Sequence, residues 1–450
     1  MTTAAAPPVE PGTTSVIQRA VATGRSTPAL YRLASVVCVV ALAVAALVAF
    51  LAARSLTDAS DRARDNTGPV LVATQDVFAS IAEADAASAA VFLSGTDEDR
   101  EQRRLYEVAL ERATAQLEEV SRLVGDDDAD HDIIKTIAAD LTVYAGQVEA
   151  ARLANVEGIP GATDRLTDAI QTVQDGVVPQ VQAITAVAQE RLDDDVRSGR
   201  IVTVVALLAL VIAGAVLVTA QVWLSRRTNR LLNLPLVGAT LLVTVAVLWL
   251  LIGWVRQQSD LSTAQDDGYD SIALTADIQT TAFRYKTLES LGVLAVGDAT
   301  EQDELAAVLA ATDIDEASVA AARDGSVGDA GLLFDAARAA DSVRERAAAA
   351  EMLTRWQRYL DTSRDIRDAI DAGDRDNAVA TAIGPGNADF NGFNTSVESV
   401  LSDNRAQFAA GLANADDRLR LLVPGMILLP VLAGLLALWG WQIRIAEYRR

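Results

Sequence analysis

The chain has 450 residues, 51% of them hydrophobic, and a formal net charge of -23 at pH 7. So large an excess of acid repels nucleic acid and anionic lipid, and 1 histidine with 1 cysteine supplies neither a nucleophile and base pair nor an intrachain disulfide. Enzymatic activity, cofactors and resident metals are therefore not expected, and folded parts outside a membrane must stand on packing alone.

Residues 1–33, rich in Thr, Pro and Ala and carrying Arg19, Arg25 and Arg32, read as a flexible cytoplasmic segment. The first apolar run follows at 34–54 and holds the lone Cys38. It is longer than a typical signal core, and Arg54-Ser55-Leu56 is a poor cleavage site, so a retained anchor is expected. Comparable runs lie at 201–224, 234–255 and 421–441, each near the ~20 residues that a helix needs to cross a ~30 Å hydrocarbon layer. Arginine brackets all four, and Trp223, Trp254, Trp439 and Trp441 sit at span ends, as side chains anchored at a lipid bilayer surface do. Basic residues in the short flanking segments 1–33, 225–233 (Arg226, Arg227, Arg230) and 442–450 (Arg444, Arg449, Arg450) place those segments in the cytoplasm. The chain is thus expected to be a multi-pass cell-membrane protein with both termini inside and residues 55–200 and 256–420 outside.

The outside segment 55–200 carries 29 acidic against 13 basic side chains and reads as helix throughout. A stripe at Val70, Thr74, Val77, Ile81, Ala84, Ser88 and Val91 alternates steps of four and three, the seam spacing of interlocking helices. Further stripes run Leu110, Ala113, Leu117, Val120, Val124, then Ile134, Ile137, Leu141, Tyr144, Val148, Ala151, then Leu166, Ile170, Val173, Val177, Val181, Ile184. Gly95, Gly125 and Gly158 punctuate them, and Gly68-Pro69 marks a break where the bundle begins. Leaving and re-entering a membrane by antiparallel helices requires an even number, so a four-helix bundle is predicted.

The segment 256–420, with 30 acidic against 15 basic side chains, repeats the plan. Ser290 to Gly297 corresponds in position to Ala89 to Gly95, and Trp356-Gln-Arg-Tyr359 falls where Tyr144 does, as expected of a duplicated span-bundle-span unit. A long break is expected at Asp324–Gly331, a third helix over about 329–372, and an interruption of the fourth helix at Gly384-Pro385-Gly386. The predicted fold is therefore all-α, with four transmembrane helices and two tandem extracytoplasmic four-helix bundles. In the last span Pro424 and Pro430 are candidate kink positions, while Thr203, Gly214, Thr219, Gly238, Thr240 and Thr244 would allow close contact between spans.

No Asp, Glu, Lys or Arg lies inside a span between its bracketing arginines, which argues against a transporter or proton path. The acidic turn Asp126 to Asp132 around His131 lacks the spacing of a calcium loop and reads as a helix cap. The candidate ligand or partner contacts are Arg284 and Lys286, which could hold a carboxylate, and Trp356 and Tyr359, which otherwise belong to the core.

A span, an outside four-helix bundle and a second span resemble the input half of bacterial chemoreceptors and sensor kinases, here with two such units on one chain. The whole layout, with its opening Met1-Thr-Thr-Ala-Ala and Arg- and Ala-rich composition, resembles the GlnX-like family of actinobacterial membrane proteins. That resemblance implies a non-enzymatic transducer that detects an amino-acid-binding lipoprotein outside and signals to a cytoplasmic serine/threonine kinase of the PknG type. A direct small-molecule sensor and an envelope scaffold without switching are the alternatives, and the oligomeric state is left open.

Overall fold

The computed structural model describes residues 27–94, 100–124, 129–228, 233–262, 269–295, 332–340 and 343–447. Every regular element among them is helical, giving an all-α protein with four helices long and apolar enough to cross a membrane. In chain order these are α1 (Thr27–Arg62), α2 (Gly68–Leu93), α3 (Arg100–Val124), α4 (Ala129–Val156), α5 (Ala162–Thr172), α6 (Val178–Thr228), α7 (Leu234–Ser262), α8 (Asp270–Leu294), α9 (Leu332–Ala339), α10 (Val343–Asp371), α11 (Arg375–Thr381) and α12 (Asn387–Glu447).

Single π-helical turns at Ala63–Thr67, Val173–Val177 and Ala382–Gly386 join α1 to α2, α5 to α6 and α11 to α12. Each has a proline beside or within it, Pro69, Pro179 and Pro385 respectively. A proline removes one N–H and crowds the carbonyl four residues back, and a wider turn accommodates both. The amides of Gly68 and Val178 accordingly reach five residues back, to the carbonyls of Ala63 and Val173. Gly68 is required at its position, since a Cβ there would lie 2.8 Å from the Ala63 carbonyl oxygen. The break expected at Gly68-Pro69 and the interruption expected at Gly384-Pro385-Gly386 are therefore π turns within continuous rods.

A second correction concerns the predicted third helix over 329–372. Helix α9 stops at Ala339 and α10 starts afresh at Val343. The intervening Asp341-Ser342 are residue types that favour helix N-caps over helix interiors. The turn residues Gly95 and Asp126–Asp128, the stretch Asp324–Gly331, Arg230 and the tail arginines Arg449 and Arg450 lie outside the described residues.

The described residues fall into two compact units, one comprising Ala59–Arg197 with Gln258–Asp416 and the other the four apolar spans with their flanks. In the first unit every seam position of α2 from Val70 to Val91 is buried, as are Ile134 to Ala151 of α4 at their predicted spacing. The two segments do not close separate cores. One apolar cluster joins Val70, Ile81 and Phe92 to Tyr269, Ile272, Leu291 and Phe408, and another joins Ala82 and Ala86 to Ile278, Ala282 and Trp356. The cause is local sequence: between Ala82 and Ala90, α2 carries small side chains on nearly every face, so helices approach it from both sides and it becomes the central element. Arg405 pairs with Asp76 across the same junction, and Gln189 donates to the Tyr269 hydroxyl at 3.0 Å.

In the span unit all four apolar helices supply a common cluster that includes Leu42, Ala45, Leu210, Ala213, Ala239, Val243, Ala433 and Ala437. Alanines recurring at helical spacing let the backbones approach, while Val36, Val40, Leu208, Leu241 and Leu435 point outward, about half exposed, as a hydrocarbon surrounding requires. Gly214 and Gly238 do lie at contacts, where a Cβ would stand 3.4 Å from Val243 and from Leu436. Gln221 donates to Thr240 Oγ1 at 2.6 Å. Thr219 and Thr244, by contrast, are exposed and bond to carbonyls of their own helices. Helix α12 runs through both Pro424 and Pro430.

Candidate functional site: a polar cleft and two buried carboxylates

The first carboxylate lies where α2 is most enclosed. Asp85 follows Ala84 on the seam and is 3% exposed. It accepts a hydrogen bond from the Tyr144 hydroxyl of α4 at 2.7 Å and another from the Gln174 amide at 3.1 Å. Gln174 belongs to the π turn Val173–Val177, whose extra residue changes which side chains of that rod meet α2. Burial pushes the Asp85 carboxyl up to about 7, against the smaller opposing effect of these two neutral donors. The Tyr144 hydroxyl is held well above its ordinary range, first by burial and then by the nearby Asp85 charge. Tyr106 packs beside it with ring centroids 6.4 Å apart.

The second carboxylate repeats this plan in the other segment. Glu289 of α8 accepts from the Tyr359 hydroxyl of α10 at 2.7 Å. Here a cation is supplied as well: Lys286 Nζ lies 3.3 Å from Glu289 and 3.4 Å from the carbonyl of Ala382, which begins the π turn of the fourth rod. The ammonium also sits 5.4 Å from the centre of the Tyr359 ring. Both acids thus lie on the first helix of their segment and both tyrosines on the long helix α4 or α10, while a π turn on the following rod is reached by Asp85 itself through Gln174 and, in the second segment, by Lys286.

Beside Asp85 opens a cleft of 830 Å³. One wall is the face of α8 that carries Asp277, Thr280, Thr281, Arg284, Thr287 and Leu288. The opposite wall is the α5–α6 rod, which presents Gln171, Gln174, Asp175, Gln182, Thr185 and Gln189 at helical spacing. Helix α2 forms the floor through Gln75, Phe78, Ile81, Ala82 and Asp85. Arg284 is exposed on this wall and forms no ion pair among the described residues. Asp277, two turns earlier on the same face, likewise has no ion-pair partner among them, and desolvation by the surrounding protein raises its carboxyl above the usual range.

Of the four residues singled out in the sequence, the structure brings only Arg284 to the cleft. Lys286 points into the interior and holds the protein's own Glu289. Trp356 and Tyr359 are fully buried in an aromatic cluster with Tyr285, Phe390 and Phe393, which no partner surface reaches. Asp130 of the acidic turn pairs with Arg191 of α6 at 2.9 Å, and His131 Nδ1 lies 3.3 Å from Ser121 Oγ. Sequence reasoning missed Asp85, Gln174 and the cleft. The available signals were an acid inside the small-residue run Ala82–Ala90 and a Gln/Thr row opposite the apolar stripe of the fourth helix.

No curated protein and no solved structure matches the chain. Residues 59–197, under a third of the chain and ending within α6, match the family model of the actinobacterial sensor domain. The match supports a sensor protein of actinobacterial kind and, for this helical segment, a role in sensing or signalling.

Proposed function

We propose that the chain is a non-enzymatic transmembrane transducer, with the unit built from 59–197 and 258–416 on the extracytoplasmic side and the termini in the cytoplasm. The observation that carries this reading is helical continuity. Helices α6 and α12 run unbroken from the sensor unit into apolar spans, and α1 continues into α2 through one π turn. A shift of packed helices by an ångström or two is therefore passed on along covalent rods rather than through loops. The finer content comes from the layout resemblance: docking of an amino-acid-binding lipoprotein outside, relayed to a serine/threonine kinase inside. Crosslinking in intact cells, followed by purification of the tagged chain, tests it. Recovery of a solute-binding lipoprotein together with a kinase supports the relay, and recovery of neither overturns it. The cleft favours a second reading, in which the sensor unit takes up a small molecule itself.

A further inference from the structure

Pockets for small molecules are typically about 300–1,000 Å³ and combine apolar lining with a few placed polar groups. The cleft has a volume of 830 Å³, an apolar floor in Phe78, Ile81 and Ala82, and rows of amide and hydroxyl side chains on its walls. Its charges are the informative part. On the α8 wall Arg284 and Asp277 are of opposite sign, seven residues apart, and neither is ion-paired among the described residues. Seven residues place their Cα atoms about 10 Å apart along the helix, and they make no ion pair with each other. Side chains in a helix lean toward its N-terminus, and the longer arginine leans further, which narrows the gap between the charged groups.

We propose that this cleft binds a small zwitterion of amino-acid to dipeptide size, its carboxylate held by Arg284 and its ammonium by Asp277, with the amide and hydroxyl rows bonding the remainder. A purely anionic ligand would face Asp277 and Asp175, and a purely cationic one would leave Arg284 without a partner. Arginine matches a carboxylate in a bidentate way that no other side chain reproduces. The inference rests on the direct-binding reading and names its ligand class.

The test uses the full-length protein in lipid nanodiscs, titrated calorimetrically with the free amino acids, glycylglycine, putrescine and succinate. Saturable binding of at least one amino acid or of glycylglycine is expected, and comparing those arms separates a free amino acid from a peptide source. Arg284→Gln and Asp277→Asn should each weaken that binding about tenfold or more, the effect of removing one charge-assisted contact. Both residues are exposed, so neither change opens a core. Binding of putrescine or succinate alone would overturn the zwitterion while leaving direct binding in place. Zwitterion binding indifferent to both substitutions would overturn the site, and heat with no probe at all would overturn the site and direct binding together.

Discussion

The two helical segments solve the same problem differently. Each buries a carboxylate from its first helix against a tyrosine hydroxyl at 2.7 Å. In the second segment a cation, Lys286, lies 3.3 Å from Glu289, and both side chains are buried. In the first, Asp85 has only the neutral donors Tyr144 and Gln174, and its carboxyl rises to about 7. A buried carboxylate without a cation lowers its cost by taking up a proton, whereas one with a cation keeps its charge and becomes sensitive to loss of its partner. The segment matched to the sensor domain is the one left close to a titration midpoint near neutral pH.

The comparison is broken most severely by removing the cation. Lys286→Met strands the Glu289 charge at 2% exposure and should destabilise the protein by about 3–5 kcal/mol. Denaturant unfolding of the detergent-solubilised chain measures it, and Lys286→Met with Glu289→Leu should recover much of the loss because no charge is then stranded.

The second test is acid–base. The folded Asp85 carboxyl lies near 7 and the ordinary value is 3.8, so the folded state binds the proton more tightly. The stability from this group is fully present below the ordinary value and is lost as pH rises through about 7. Asp85→Asn keeps a permanently neutral side chain and should raise stability at pH 8 relative to the parent, by on the order of 2–4 kcal/mol, and not at pH 4. Melting curves of parent and variant across that range, compared as a difference, cancel the contributions of Asp76, Glu83 and Asp277, whose carboxyls burial also raises. A constant difference at all pH values would refute the assignment.

Tyr144→Phe leaves Asp85 with Gln174 alone and should cost about 1–3 kcal/mol. Tyr359→Phe should cost less, since Glu289 still has Lys286. One glycine from each of the π turns Val173–Val177 and Ala382–Gly386 sharpens the contrast further. A Cβ on Gly386 would meet the Thr381 carbonyl at 3.1 Å and Lys286 Nζ at 3.3 Å, so Gly386→Ala is expected to cost about 1–3 kcal/mol. Gly176, with only Asp140 Oδ2 at 3.9 Å, has room, and Gly176→Ala should fall within about 0.5 kcal/mol of the parent by the same unfolding assay.

Much of the fold was legible because helical seams repeat at fixed spacing. Val70 to Val91 and Ile134 to Ala151 are buried at the intervals that named them, and the four spans stand out by length and apolarity. The site was less legible. Arg284 stood out as an arginine on a first helix, yet its neighbour Lys286 looked equally available, and only packing turned one to the cleft and the other to Glu289. Asp85 was hidden because its partners are distant in sequence, with Tyr144 on α4 and Gln174 beyond Gly161.

The sequence by itself determined what depends on neighbours along the chain: helix periodicity, the apolar spans, the acidic balance of the two large segments, and the prolines that the rods must accommodate. Only the tertiary structure decided that the two segments share a core, that the prolines are absorbed as π turns, and that one buried acid receives a cation while the other does not. Seams specify that a face is covered without naming its cover, and the ionisation of a buried group is set by atoms brought to it from elsewhere in the chain.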